Sequence, residues 1–106
     1  MGVTVLFFDG CPSYEALMPR LRTLVLEAGL TEDDIALQRV ESPGEAEAQR
    51  FLGSPTVRVD GVDVEPGAAD REDFGMKCRL YRFAECQTPT PPDAWIRSAL
   101  KAATAR

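Results

Sequence analysis

The apolar positions of this chain change period several times, and each change marks an element. Val3 to Phe8 is an unbroken apolar, β-branched and aromatic run. Such a run predicts a strand covered on both faces, as at the centre of an α/β sheet. Asp9-Gly10-Cys11-Pro12 interrupts it. Leu17, Leu21, Leu24 and Ala28 then recur at helical spacing, and Gly29 supplies a stop. Pro19 falls inside this helix, where its missing N–H predicts a kink. Ile35 to Val40 reads as a second strand. Ser42-Pro43-Gly44-Glu45 opens a second helix: Ser42 caps, Pro43 suits the first helical position, and Glu45 closes a capping box. Ala48, Phe51 and Leu52 give that helix an apolar side, and Gly53 ends it.

Thr56 to Val59 predicts a third strand, and Asp60-Gly61 is a hairpin signal. Glu65 to Asp73, rich in Pro, Gly, Ala and acids, reads as a solvated loop. Met76 to Phe83 alternates and predicts a fourth strand. Its two faces would carry Met76, Cys78 and Leu80 on one side, and Lys77, Arg79, Tyr81 and Phe83 on the other. After a Pro-rich connector over Gln87 to Pro92, Thr90 is placed to cap a last helix, with Pro91 at its first position and Asp93 in its first turn. Trp95, Ile96, Ala99, Leu100 and Ala103 form its apolar face. The order is β-α-β-α-β-β-α, an α/β fold with a mixed sheet flanked by helices. Its first two strands are parallel through a right-handed crossover. The 106 residues suit one domain, 1–106.

Composition narrows the chemistry. Twelve Lys+Arg against 17 Asp+Glu leave a net charge of −5, which offers no field to attract nucleic acid. No stretch approaches the ~20 apolar residues that cross a bilayer, so no membrane partner is expected. The absence of His removes Ser-His-Asp triads, Cys-His dyads and His metal ligands. Three Cys is an odd number, which disfavours a secreted disulfide framework. Free thiols fit a cytoplasmic location, where the compartment is reducing. With no Gly-rich phosphate loop and no C-x-x-C zinc pair, no bound cofactor or structural metal is expected.

Cys11 is the sharpest chemical feature. It follows the carboxyl end of the first strand, where open α/β sheets place their sites. It precedes a helix whose unpaired N–H groups favour a thiolate over a thiol. Asp9 nearby acts the other way, and the plain alternative is a small buried hydrophobe. Cys78 also has two readings, a thiol that meets Cys11 or a core residue beside Met76 and Leu80. If strand four hairpins tightly from strand three, it starts at the pole opposite Cys11. Cys78 then reaches Cys11 only if the Glu65–Asp73 loop first climbs back. Cys86, in a polar segment, reads as an exposed bystander. Lys77, Arg79 and Arg82 would lower a thiol pKa, hold a substrate carboxylate such as that of glutathione, or form a solvated face, which is the commoner outcome. Asp60, Asp63 and Glu65 lack the spacing of a Ca²⁺ loop and read as loop solvation.

A strand, then Cys11-Pro12-Ser13-Tyr14, then a helix broken at Pro19, then Gly53-Ser54-Pro55-Thr56 before a hairpin, resembles the thioredoxin superfamily over nearly the whole chain. The resemblance implies that Cys11 is the nucleophile of a redox-active motif. It also implies that Pro55 is a cis-proline, which helps dock extended substrates beside Pro12, Ser54 and Thr56. The second cysteine of the family's C-x-x-C motif is replaced by Tyr14, leaving a monothiol C-P-x-Y. Tyr14 would either donate a hydrogen bond to a Cys11 thiolate or pack on the first helical turn. Cys78, in Cys78-Arg79-Leu80-Tyr81-Arg82, is the candidate replacement for the missing thiol. This set of motifs is similar to small thioredoxin-like proteins of high-GC bacteria, some labelled as related to alkylmercury lyase.

Three functions follow as expectations. The first is thiol–disulfide exchange with a small thiol or protein disulfide, Cys11 attacking and Cys78 or an external thiol resolving. The second is thiolate binding of a soft metal or organomercurial through Cys11 and Cys78. The third is a redox-inert interaction module.

Overall fold

The computed structural model of the chain describes residues 2–83 and 86–104. Strand β1 (Val3–Phe7) lies at the centre of a sheet because its apolar run can be covered from both sides. It pairs in parallel with β2 (Ile35–Arg39), Val3 opposite Ile35, and antiparallel with β3 (Thr56–Val59), Val3 opposite Val59. The hairpin signal Asp60-Gly61 turns β3 into the short strand β4 (Val62–Asp63). Both turn residues have positive φ, at 52° and 83°, the geometry that a twisted two-residue hairpin requires. The result is a mixed four-stranded sheet in the order β2-β1-β3-β4.

Helix α1 (Ser13–Glu27) returns the chain from β1 to β2, carrying Pro19 within it and burying Leu17, Leu21 and Leu24. Helix α3 (Asp93–Thr104) buries Ile96, Leu100 and Ala103. Both helices pack on the sheet face formed by Val3, Val5, Val57 and Val59. Each fully buried Val or Leu there contributes about 1.5–3 kcal/mol. Leu6 points to the other face, where it packs with Val40, Ala46 and Phe51 around helix α2 (Pro43–Ala48). The fold is therefore a mixed sheet with helices on both faces, as the sequence predicts.

Several local expectations change. The α2 cap forms as predicted at Ser42, whose Oγ accepts from Glu45 N at 3.1 Å. The Glu45 carboxylate reaches past the cap to accept from Glu41 N at 2.8 Å. The helix ends at Ala48, and Ala46 is its buried residue; Phe51 and Leu52 are buried beyond it. Thr90 does not cap α3, which begins three residues later; its hydroxyl accepts instead from Arg20 Nη1 at 2.8 Å. Arg20 also donates to Pro91 O and Asp93, tying α1 to the start of α3.

The largest correction is the fourth strand. Met76 to Leu80 forms no strand in the sheet; that position belongs to β4. Tyr81–Phe83 (β5) pairs instead with Cys86–Thr88 (β6) in a separate two-stranded ribbon. The two expected faces do not form: Met76 packs partly buried against the α2-side cluster, and Lys77 and Phe83 are exposed. Arg79 and Tyr81 are buried at 2% and 0% exposure, while Leu80 at 57% faces water. The cause is ionic. Arg79 Nη1 donates to Asp63 Oδ2 at 2.8 Å and to Thr56 Oγ1 at 3.0 Å, and its Nη2 donates to Asp63 Oδ1 at 3.1 Å and Glu65 Oε1 at 3.2 Å. Arg71 holds Glu65 and Asp73 through further short contacts. Asp63 and Glu65 are thus the counterions of a buried arginine, not solvating loop residues. Most of the Glu65–Asp73 segment is exposed as expected, with Ala68 buried and Glu65 and Arg71 half-buried.

Candidate functional site

After Gly53 the chain must cross from the α2 face into β3, and a second segment is laid against it there. Ser54 N donates to Lys77 O at 2.8 Å, and Arg79 N donates to Ser54 O at 2.9 Å. Ser54 and Cys78 thereby form an isolated parallel bridge. Gly75 N donates to Phe51 O at 3.0 Å, so residues 75–79 run beside 51–54. Gly53, at φ 127°, permits this approach. A Cβ there would lie 2.9 Å from both Arg79 Cβ and Lys77 O. The loop does climb back, and it delivers Cys78 to the end of the sheet where Cys11 sits.

Cys11 lies between the end of β1 and Pro12, the residue that caps α1. It is 2% exposed, whereas Cys78 is exposed. The Cys11 thiol donates to Ser54 O at 3.6 Å. Ser54 O therefore accepts from both Cys11 and Arg79, and one carbonyl joins the two chain segments. Burial pushes the Cys11 thiol pKa up. Hydrogen bonds from the Ser54 hydroxyl, the backbone and hydroxyl of Ser13, and the Cys78 thiol outweigh burial, so the net shift is downward. The buried Ser54 Oγ has no hydrogen-bond partner among the described residues. Cys78 shifts up, through burial, the charge of Cys11 and the hydrogen bond it gives to Cys11.

The other predicted site residues fall as follows. Tyr14 stacks on Phe7, ring centroids 4.3 Å apart, and among the described residues it donates no hydrogen bond to Cys11. Its ring packs on the end of β1 rather than on the first helical turn. Pro12 is exposed beside Cys11. The Ser54–Pro55 peptide bond is cis, but Ser54, Pro55 and Thr56 are all buried. Residues 77–79 already occupy the backbone groups of Ser54. The Pro55 carbonyl accepts from the Tyr81 hydroxyl, and the Thr56 hydroxyl donates to Gly53 O at 2.6 Å. The edge on which an extended partner was expected to dock is filled by the chain itself. Arg79 is likewise committed to Asp63, Glu65 and Thr56, and its guanidinium stacks 4.5 Å from the Tyr81 ring centroid. It is a structural cation, not an exposed carboxylate clamp. Lys77 is exposed and pairs with Asp73 at 3.0 Å. Asp9, expected to oppose thiolate formation, is exposed and pairs with Arg39 at 3.1 Å. Cys86 is exposed on β6.

Sequence reasoning missed Ser13, whose backbone and hydroxyl are among the influences that lower the Cys11 pKa. Its position two residues after Cys11, at the first turn of α1, was the available signal. A cleft of about 470 Å³ lined by Arg50, Arg58, Val62 and Phe74 includes neither Cys11 nor Cys78. Among the described residues no group of three or more His, Cys, Asp or Glu could hold a metal ion, and no helix is long and apolar enough to cross a membrane. No protein-family model, curated protein or solved structure matches this chain.

Proposed function

We propose that this chain is a thioredoxin-like thiol protein that exchanges disulfides through Cys11 and Cys78. The strand order, the thiol between β1 and α1, and the cis peptide bond ahead of β3 support the likeness. The observation that carries the function is the shared Ser54 hinge: its carbonyl accepts from the Cys11 thiol at 3.6 Å, and its backbone bridges Cys78, so two free thiols flank one residue. A thiolate in reach of a second sulfur is the arrangement that disulfide exchange requires. A substrate disulfide exchanges with one thiol, forming a mixed disulfide and releasing one substrate thiol. The remaining protein sulfur then displaces the second substrate thiol and closes a Cys11–Cys78 bond. A low-molecular-weight thiol in excess returns the pair to the reduced state. Tyr14 leaves the motif without its local second cysteine, and Cys78 supplies that sulfur from a distant segment.

The test is incubation of the whole chain with glutathione disulfide, followed by peptide mapping. The wild type should form the Cys11–Cys78 bond and lose two free thiols. Cys11→Ser and Cys78→Ser should each form none. A wild type that retains both thiols, or that pairs Cys86 instead, overturns the reading.

A further inference from the structure

We infer that the partner's sulfur bonds to Cys78, while Cys11 is the internal sulfur that leaves and returns. This rests on the exchange reading above and adds the order of bonds within it. Disulfide exchange is an in-line displacement, so the incoming sulfur, the attacked sulfur and the leaving sulfur are nearly collinear. Cys11 is 2% exposed and Cys78 is exposed, so a thiol arriving from water meets Cys78 first. The approach to Cys78 Sγ is from outside, with Cys11 Sγ leaving on the protein side. Attack on Cys11 Sγ would need a path through the residues that cover it.

Each step balances. An incoming thiol gives its proton to solvent and its electron pair to Cys78 Sγ. The Cys11–Cys78 bond breaks, Cys11 departs as a thiolate, and Cys78 carries the mixed disulfide. In reverse, the Cys11 thiolate attacks Cys78 Sγ, the internal bond forms, and the partner leaves as a thiol after taking a proton. The environment of Cys11 suits this role. Its pKa is shifted downward, with Ser54 and Ser13 among the lowering influences, and a more stable thiolate leaves faster. Cys78 is held for attack by the Ser54 bridge, which fixes the backbone on both sides of it.

The experiment uses the full chain in a Cys86→Ser background with glutathione disulfide as the probe. Cys11→Ser leaves Cys78 as the acceptor, and Cys78→Ser leaves Cys11 beneath a side chain of nearly the same size. The adduct on Cys78 should form about tenfold faster than the adduct on Cys11. Equal rates, or a faster adduct on Cys11, overturn the inference; if the parent still closes its Cys11–Cys78 bond, the exchange reading stands. No adduct in either variant and no internal disulfide overturns both. A second measurement needs no change in the pair. The oxidised parent is mixed with glutathione, quenched in acid and mapped, with the transient adduct expected on Cys78; its appearance on Cys11 overturns the order of bonds.

Discussion

The Cys11 thiol sits 3.6 Å from the carbonyl oxygen of Ser54, the same oxygen that receives the backbone N–H of Arg79. One acceptor thus couples the thiol to the segment that carries Cys78. Cys11 needs no acidic or basic side chain to become a thiolate, because short-range donors surround it. This is how a chain without His holds a cysteine below its ordinary pKa.

Ser54→Ala should raise the Cys11 pKa toward that of an ordinary thiol. Ser54 is the largest of the lowering influences, and its buried hydroxyl has no other partner among the described residues. Removing a buried hydroxyl without a partner should change stability at pH 7 by less than about 0.5 kcal/mol. The sign with pH follows by linkage. A thiol whose folded pKa is depressed contributes stability that is present above the unfolded value of about 8.5 and lost as pH falls through the folded value. The variant should lose part of this alkaline stabilisation. Thiolate ultraviolet absorbance against pH, read in a Cys86→Ser background, checks the first point, and urea unfolding checks the second. An unchanged thiolate titration would exclude Ser54 as a donor.

Gly53→Ala should damage both the fold and the thiol contact. The new Cβ would lie 2.9 Å from Lys77 O, and φ 127° is itself unfavourable for alanine. The loss should be about 2 kcal/mol or more. The 77–79 segment must retreat, so closure of the Cys11–Cys78 bond should slow as well. Denaturant midpoints and the rate of disulfide formation in a glutathione buffer measure the two effects. Wild-type values for both would show that the approach at Gly53 is not needed.

Much of this architecture was legible from local signals. The apolar run from Val3, the Ser42 cap and the Asp60-Gly61 turn each specify an element through contacts within a few residues. The parallel pairing of β1 and β2 follows from the helix between them. The segment after Asp63 was not legible in the same way. Alternation over Met76–Phe83 predicts a strand, and Arg79 then falls on a face of charged residues that reads as solvated. Its burial is decided by Asp63 and Glu65, 16 and 14 residues earlier, and no periodicity reports such a pairing. Gly53 reads as a helix stop, yet its conformation also admits the backbone of 77–79. The proximity of Cys11 and Cys78 depended on that path, so the sequence left it open.

Replacing Arg79 separates buried from exposed ion pairs in one region. The Arg79 side chain is 1% exposed, and Arg79→Met removes the ion pair of Asp63 and one of the two ion pairs of Glu65. Removing one partner of a buried pair costs about 3–5 kcal/mol, since the surviving charges stay desolvated. Arg79→Lys should recover only part of this, because an ammonium cannot match the paired donors of the guanidinium. Lys77→Ala removes an exposed pair with Asp73 and should cost less than about 1 kcal/mol. Urea midpoints of the three variants measure the order. An Arg79→Met protein as stable as Lys77→Ala would contradict a structural role for the buried pair.

Tyr81→Phe tests the floor beneath Pro55. The Tyr81 hydroxyl is buried and donates to Pro55 O. Losing this bond should cost about 1–2 kcal/mol at pH 7, because the carbonyl is left unsatisfied. Burial pushes the phenol pKa far up, with the nearby carboxylates adding to the rise and Arg79 and Arg71 opposing it. A group whose folded pKa is raised contributes stability that is fully present below its unfolded value, about 10 for tyrosine, and is lost as pH rises toward the folded value. The wild type should therefore lose its advantage above about pH 10 at up to ~1.4 kcal/mol per pH unit, a loss that Tyr81→Phe cannot share. The two stability curves should converge and then cross in alkali. Parallel curves from neutral to alkaline pH would mean that the phenolate forms in the folded state, and that the Tyr81 hydroxyl is not sealed beneath Pro55.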